Sequence, residues 1–305
     1  MDPVVTIIIP TYNHAGYLRE ALASVVAQNF HDWEAIVVNN FSEDDTVAAV
    51  ESFADSRIRL ENFRNNGVIG ASRNRGIALA RGRYIAFLDS DDAWLPGKLA
   101  RCIPYLEQGA HLVSHGLRYI GERSGEMYCG PAHRASVNAL LDHGSCITPS
   151  ATIVRKLALE SVGCFSENPA VVTSEDYHLW IKLACNGARM EFIREILGEY
   201  RIHEGNQSGS VMRHLNSVLS VLEEFKLQPA GKRISPVRLR KRQGLAYYGA
   251  ARGMQKNGQF LVAAGLYLKA LFHRPFLLQS YVFSTLNILA FLSSRVQRLK
   301  PNDSR

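Results

Sequence analysis

Residues 84–92 read Tyr-Ile-Ala-Phe-Leu-Asp-Ser-Asp-Asp, an apolar run of strand length that ends in three carboxylates. A short apolar run of this kind predicts a buried strand. Hard cations such as Mg²⁺ take oxygen ligands and bind where substrate phosphates are also present. The stretch therefore favours a metal-assisted reaction on a phosphorylated or nucleotide substrate. Asp and Ser also form turns and helix caps, so the stretch alone leaves a structural role open.

Strand-like and helix-like patterns alternate on the N-terminal side of this stretch. Apolar, β-branched runs predict strands over residues 4–9, 33–38 and 83–88. Helical spacing of apolar residues predicts helices over residues 14–28, 44–53 and 69–80. Such alternation predicts an α/β fold, with a mostly parallel, Rossmann-like sheet flanked by helices. Ligands of such sheets bind at the carboxyl ends of the strands, where the polar residues that follow each strand would meet.

Composition and cysteine usage describe an ordinary globular protein. The chain has 305 residues, of which 47% are hydrophobic and 21% charged, and this length allows one large core or two domains. Its five cysteines are scattered and form no C-x-x-C pair, which favours a reducing compartment and disfavours zinc or disulfide frameworks. The first thirty residues show no signal-peptide pattern, so we expect a cytoplasmic protein.

Charge divides the chain into two parts. Residues 1–210 carry a net charge of −6, and residues 211–305 carry +13. We therefore predict a catalytic domain over 1–210 and a basic, α-helical extension over 211–305. The positive charge of the extension favours binding to an anionic membrane surface, which for a cytoplasmic protein is the inner face of the plasma membrane. Residues 276–294 hold no charge but several polar side chains, so the sequence leaves open whether they insert in a membrane, lie on it or pack in the protein.

Six motifs in the first 208 residues resemble those of family 2 glycosyltransferases, which have the GT-A fold. They comprise residues 7–13, 37–46, 66–67 with 72–76, 82–92, 174–180 and 200–203. Each motif alone is weak, but six in order are specific. The resemblance implies transfer of a sugar, with inversion, from a nucleotide-diphosphate sugar to an acceptor hydroxyl. It also divides the catalytic domain into a nucleotide-sugar half, 1–110, and an acceptor half, 111–210.

The resemblance assigns a divalent metal, Mn²⁺ or Mg²⁺, to the acidic stretch. Asp91 matches the position that ligates the metal, with Asp89 beside it and His203 near the metal and pyrophosphate. A metal there would neutralise the charge that develops on the departing nucleotide diphosphate. Asp92 matches a supporting position.

Asp176 matches the family's general base. One base without a covalent nucleophile suffices for a single displacement, which inverts the anomeric carbon. Asp176 lies at the start of a predicted helix over residues 174–185, whose N-terminus is expected to lower the pKa of the carboxyl. Ser-Glu-Asp at a helix start is also ordinary capping chemistry.

The nucleotide end of the predicted site follows the first two strands. The candidate contacts are Pro10, Thr11, Tyr12, Asn13, Asn39, Arg73 and Asp89. Asn39 stands where the family usually has Asp. Its carbonyl can still accept a hydrogen bond from uracil N3, so a UDP-sugar is favoured, while thymine and guanine stay open.

Two other functions compete with sugar transfer. A dinucleotide-binding Rossmann enzyme is disfavoured, because no G-x-G-x-x-G follows the first strand. A non-catalytic nucleotide- or nucleic-acid-binding protein would use the basic C-terminal region, but that region lacks a known motif, and we expect no nucleic acid. The resemblance to family 2 glycosyltransferases implies that the acceptor is a glycan or lipid-linked glycan of cell-surface polysaccharide synthesis. An oligomer is compatible with the sequence.

Overall fold

A computed structural model describes residues 2–203, 210–229 and 231–299, in two compact units. Unit 1 comprises Met1–Leu140 with Gly144–Asn206, and unit 2 comprises Leu141–His143 with Gln207–Arg305. Each unit has its own core of buried apolar side chains. The two units are therefore described one at a time.

Unit 1 is built on one nine-stranded sheet. Its strands are β1 (Val5–Thr11), β2 (Trp33–Asn39), β3 (Ile58–Asn62), β4 (Tyr84–Phe87), β5 (Ala93–Trp94), β6 (Leu112–Gly121), β7 (Glu126–Tyr128), β8 (Thr152–Arg155) and β9 (Met190–Ile202). Their order is β3-β2-β1-β4-β8-β6-β9-β5, with β7 paired to β6. Strands β1 to β4 are parallel, whereas β8 runs antiparallel to both β4 and β6. The sheet is thus parallel in its first part and mixed beyond it.

Helices cover this sheet, as the sequence predicts. They are α1 (Ala15–Val26), α2 (Thr46–Glu51), α3 (Ile69–Leu79), α4 (Lys98–Glu107), α6 (Lys156–Ser161) and α7 (Glu175–Cys185). A further helix, α5 (Val137–His143), belongs to unit 1 up to Leu140, and its last three residues belong to unit 2. Every residue of β1, β2 and β4 is buried, because the central parallel strands are covered on both faces. The predicted α/β fold class is confirmed.

A close approach between α3 and β1 depends on glycine. A Cβ atom added at Gly76 would lie 2.6 Å from the Ile8 side chain, so a larger residue would push the helix away from the sheet. This approach positions Arg73, which lies one turn earlier on α3.

Unit 2 contains four longer helices, which confirms the predicted α-helical extension. They are α8 (Val211–Leu227), α9 (Pro236–Lys256), α10 (Phe260–His273) and α11 (Leu278–Leu299). Ala251, Ala263 and Tyr267 are fully buried in their shared core. In the part of the chain that the structure describes, no helix is both long and apolar enough to cross a bilayer.

Candidate active site

The loop after β4 presents a carboxylate next to a histidine. Asp92 N donates a hydrogen bond to Asp89 O over 3.0 Å, which closes the acidic stretch into a turn. Asp91 Oδ2 lies 3.0 Å from His203 Nε2, and His203 directly follows β9. Two strands that are far apart in the sequence therefore bring the predicted pair Asp91 and His203 together.

Asp92 and Arg201 hold the acidic turn against the end of β9. The backbone N–H of Arg201 donates to Asp92 Oδ1 over 2.9 Å, and Arg201 Nε donates to the carbonyl oxygen of Asp91 over 3.0 Å. Burial, with the charges of Asp91 and Asp89, raises the pKa of Asp92 well above its usual range. The two hydrogen bonds thus support the position of Asp91.

His14 is a further residue of this corner that the sequence did not indicate. Its Nδ1 lies 3.1 Å from Ser90 Oγ, and its ring centroid lies 5.8 Å from that of His203. The available signal was its position directly after the β1 motif that ends at Asn13, because residues there reach the same edge of the sheet.

Asp91 and His203 suit a divalent metal that also binds substrate phosphates. The chemistry of the pair is one carboxylate and one imidazole, and Mg²⁺ commonly takes one or two protein carboxylates and completes its shell with water and phosphate oxygens. Among the described residues, no three His, Cys, Asp or Glu side chains form a ligand cluster. The two residues therefore fit a metal that is bound jointly with a pyrophosphate.

Arg73 joins the acidic turn to the start of α7. Its Nη2 lies 2.7 Å from Asp89 Oδ1, and its Nη1 lies 2.7 Å from Glu175 Oε1. The side chain of Arg73 is only 2% exposed. The structure thus gives this predicted nucleotide contact two protein carboxylates as partners, and the metal-ligand role predicted for Asp89 stays a prediction.

The pKa of Asp176 moves in the direction opposite to the one expected from its helix position. Burial and the neighbouring charge of Glu175 raise it to about 7. The helix start does act in the expected sense, since the backbone N–H of Tyr177 donates to Asp176 Oδ1 over 2.6 Å, but this bond and the charge of Arg73 are outweighed. The expectation of a depressed pKa is wrong, because it ignored the adjacent carboxylate and the surrounding protein.

Asn13 connects the two loops that follow β1 and β2. Its backbone N–H donates to Ser42 Oγ over 2.9 Å, and its Oδ1 accepts from Glu43 N over 2.8 Å. The backbone of Asn13 is left-handed, with φ of 52°, a conformation that asparagine tolerates better than most residues. Its side-chain oxygen is thus engaged within the protein.

Asn39 is likewise engaged by its neighbours. Its Oδ1 accepts hydrogen bonds from Ser42 N over 3.0 Å and from Ser42 Oγ over 2.6 Å, while its Nδ2 donates to Asn62 Oδ1 over 2.9 Å. The residue is 1% exposed. In this arrangement both lone pairs of the amide oxygen already have donors, so Asn39 fixes the loop after β2 and presents no open acceptor.

Two exposed aromatic rings stand at the same sheet edge. Tyr12 follows Thr11 on β1 and is 51% exposed, and Phe41 follows β2 and is 48% exposed. Thr11 and Asn39 are register partners, so the two rings follow adjacent strand ends. The guanidinium carbon of Arg64 lies 4.8 Å from the centroid of the Phe41 ring. Phe41 was not predicted, although its place two residues after β2 was a signal.

The remaining predicted nucleotide contacts, Pro10 and Thr11, are buried in β1. The hydroxyl of Thr11 has no hydrogen-bond partner among the described residues. Its carbonyl oxygen accepts from Asn40 N over 3.0 Å.

A family model described as "Glycosyl transferase family 2" matches residues 6–163, which include these strand ends and the acidic turn.

The chain is a family 2 glycosyltransferase. This glycosyltransferase is 31% identical over 234 residues to the Escherichia coli protein WfgD, named a UDP-Glc:alpha-D-GlcNAc-diphosphoundecaprenol beta-1,3-glucosyltransferase. The match covers 76% of this chain and 90% of WfgD. Both the family match and the identity support the membership that the six motifs predicted.

Solved structures give the fold of this glycosyltransferase. S. aureus TarS 1–349, solved in complex with UDP-GlcNAc, superposes with a TM-score of 0.68 at 18% identity, over 97% of this chain and 92% of that one. The mannosyltransferase PcManGT of Pyrobaculum calidifontis, solved with GDP-Man and Mn²⁺, gives a TM-score of 0.59 at 18% identity, over 99% and 89%. The predicted GT-A fold is confirmed.

Proposed function

We propose that this protein transfers a sugar from a nucleotide-diphosphate sugar to an acceptor hydroxyl, with inversion, assisted by a divalent metal. The observation that carries the proposal is the bridge through Arg73. Its two 2.7 Å ion pairs connect Asp89, in the acidic turn, to Glu175, which directly precedes Asp176. The predicted leaving-group side and the residue before the predicted base thus meet at the buried guanidinium of Arg73.

We assign the donor to residues 1–110 and the acceptor to residues 111–210. Tyr12 and Phe41 suit stacking on the base, which tolerates any base because every base has a π-face. UDP remains the favoured nucleotide, supported by the UDP-Glc in the name of WfgD and the UDP-GlcNAc bound to TarS. PcManGT binds GDP-Man, so guanine is the alternative to test.

Asp91 and His203 would hold the metal. A divalent cation supplies Lewis-acid stabilisation of the negative charge that develops on the departing nucleotide diphosphate. Mn²⁺ in the PcManGT structure supports this assignment. Asp92 and Arg201 contribute by fixing the position of Asp91, through the two hydrogen bonds that join the acidic turn to β9.

Asp176 would accept the proton of the acceptor hydroxyl. A general base works best when its pKa is near the working pH, because a large fraction of it is then ionised and the ionised form still binds a proton well. The pKa of about 7 that burial and Glu175 impose on Asp176 meets this condition. A single base and no covalent intermediate lead to inversion.

The acceptor is proposed to be a lipid-linked glycan of cell-surface polysaccharide synthesis, handled on the cytoplasmic side. The name of WfgD specifies an acceptor on diphosphoundecaprenol. The scattered cysteines, all free in the structure, accord with a reducing compartment.

A thermal-shift panel followed by a transfer assay tests the proposal. Candidate donors are UDP-, TDP- and GDP-sugars, each with and without Mn²⁺, because a bound ligand raises the melting temperature by mass action. We expect one nucleotide to stabilise the protein most, and more so with Mn²⁺. Asp91→Asn should lose the Mn²⁺-dependent part of the shift.

Asp176→Asn separates catalysis from binding. It should keep the donor-induced shift and lose transfer by about 10²- to 10⁴-fold, the range that general-base catalysis contributes. Asp45→Asn is the matched control, since Asp45 is an exposed carboxylate at the start of α2. A donor-induced shift without transfer in the unaltered protein, across all acceptors, would support the non-catalytic nucleotide-binding alternative instead.

A further inference from the structure

Helix α11 buries two polar side chains and exposes most of its large apolar ones. Ser280 and Asn287, seven positions apart, are 0% and 2% exposed. Asn287 Nδ2 donates to the carbonyl oxygen of Phe260, at the start of α10, over 2.8 Å. The polar stripe of α11 is therefore used for packing within unit 2, and the opposite side of the helix faces outward.

That outward side is a wide apolar surface, which we call the α11 face. Its exposed apolar members are Leu278, Tyr281, Val282, Leu286, Ile288, Leu289 and Leu292. At 100° per residue they span about half the circumference of the helix. The exposed hydroxyls of Thr285 and Ser293 lie in the same arc, and each donates to a backbone carbonyl oxygen of α11, those of Tyr281 and Leu289. An exposed surface that is mostly apolar points to an interaction site.

The apolar surface of unit 2 extends beyond α11. Phe276, in the segment between α10 and α11, is 91% exposed, and Leu261, Leu268 and Phe272 are exposed along α10 at spacings of seven and four residues. Those spacings place the three α10 side chains on one side of that helix. Two consecutive helices and their connection thus each present bulky apolar groups to the exterior.

Cationic side chains adjoin this surface. The guanidinium carbon of Arg240, on α9, lies 4.9 Å from the centroid of the exposed Phe272 ring, and its Nη2 donates to the carbonyl oxygen of Phe272 over 2.8 Å. Lys269 is exposed on α10. The whole region 211–305 carries +13, yet residues 276–294 carry no charge at all. Apolar groups beside cations match the interfacial zone of an anionic bilayer.

We propose that the α11 face, with Phe272 and Phe276, inserts into the surface layer of an anionic lipid bilayer, where α11 lies along the membrane plane. A second copy of the chain is the less suitable occupant, because a helix–helix seam is narrower than half a helix circumference and would leave much of this face exposed. Charge also favours the bilayer, since two copies of a region with +13 repel each other. The inference rests on unit 2 alone and not on the proposed reaction.

Vesicle flotation of the full chain tests the proposal without donor or acceptor. The vesicles are phosphatidylcholine alone or phosphatidylcholine with 30 mol% phosphatidylglycerol. The test variant is Val282→Glu/Leu289→Glu, which places two charges in the α11 face. The matched control is Asn257→Glu/Gln259→Glu, which adds the same charge at exposed polar positions before α10. We expect binding to the anionic vesicles at least tenfold above phosphatidylcholine alone, a tenfold or greater loss in the test variant, and a smaller loss in the control.

Three results would overturn the proposal. The first is equal binding of the parent protein to both vesicle types, and the second is equal vesicle binding by the test variant and its control. The third is an oligomer of the parent protein in lipid-free solution that becomes monomeric in the test variant, while the test variant still binds vesicles. Circular dichroism of both variants checks that the helices form. Sugar transfer to a water-soluble acceptor should be unchanged in the test variant. Flotation therefore tests membrane binding, and the transfer assay tests the proposed reaction independently.

Discussion

Arg73 and Glu175, 102 positions apart in the chain, form a buried ion pair with 2.7 Å between Nη1 and Oε1. The pair connects α3, which packs on β1 and β2, to the first turn of α7. Removing one partner of a buried pair costs about 3–5 kcal/mol, because the other charge is left uncompensated. Glu175 therefore affects both the stability of the site and the ionisation of its neighbour Asp176.

Replacing Glu175 with Gln should shift the pH dependence of transfer. Asp176 acts as a base only when ionised, so kcat/KM should rise as pH increases through about 7 and level off above it. The Glu175 charge is one cause of the raised pKa of Asp176. Its removal should move the acidic limb to lower pH, measured as kcat/KM from pH 5 to 9. An unmoved limb would show that another group controls it, and Glu167→Gln, an exposed glutamate, is the control.

Replacing Asp176 with Asn should stabilise the protein at high pH. The pKa of Asp176 is raised in the folded state, so the folded protein holds a proton that the unfolded chain has lost, and stability falls as pH rises from about 4 to about 7. Asn removes this penalty. The gain in unfolding free energy should be about 2 kcal/mol at pH 8, after allowance for partial exposure, and near zero below pH 4.

Urea unfolding of both proteins at pH 4, 6 and 8 measures this gain. Asp45→Asn, at an exposed carboxylate, is the matched control. A variant that is equally stable to the parent at pH 8 would contradict the raised pKa.

Replacing Asp92 should weaken metal binding only where the replacement removes the acceptor of the hydrogen bond from Arg201 N. Asp92→Asn should keep a side-chain oxygen that accepts the hydrogen bond from Arg201 N. Asp92→Ala removes it. We expect the apparent affinity for Mn²⁺ with UDP present to fall about tenfold or more in Asp92→Ala and little in Asp92→Asn. Mn²⁺ titration followed by electron paramagnetic resonance measures both, and equal losses would show that the charge, not the hydrogen bond, matters.

The sequence predicted the parallel part of the fold well and the mixed part poorly. Strands β1, β2 and β4 are buried on both faces and read as continuous apolar runs, so their pattern is plain. Strand β9 intersperses charged residues with apolar ones and pairs with β6 through register shifts near Gly116, so neither has a clean two-residue period. Strand β9 ends at the residue before His203, which lies next to the acidic turn. The family resemblance placed His203 near this turn, whereas the hydrophobic pattern of the sequence did not.

The candidate site was predicted by residue type more than by interaction. Asp91 and His203 lie 3.0 Å apart, while their metal-binding role stays a prediction. The hydrogen bond from Asn39 to Asn62 and the two ion pairs of Arg73 depend on distant parts of the chain. Local spacing carries no information on such contacts. The raised pKa of Asp176 has the same origin, since burial is a property of the folded protein.

Base recognition should depend on the exposed aromatic rings more than on Asn39. Asn39 Oδ1 already accepts two hydrogen bonds from Ser42, whereas Tyr12 and Phe41 are exposed at adjacent strand ends. We expect Tyr12→Ala and Phe41→Ala each to weaken UDP binding by about 1–3 kcal/mol, the contribution of base–aromatic stacking, with similar losses for GDP. Tyr128→Ala is the control, because Tyr128 is an exposed ring on β7. Isothermal titration calorimetry with both nucleotides measures the losses.

The opposite result would be a changed ratio of UDP to GDP affinity in Asn39→Ala, with unchanged binding in both ring variants. Asn39 would then recognise the base, and its hydrogen bonds with Ser42 would have to rearrange when the nucleotide binds.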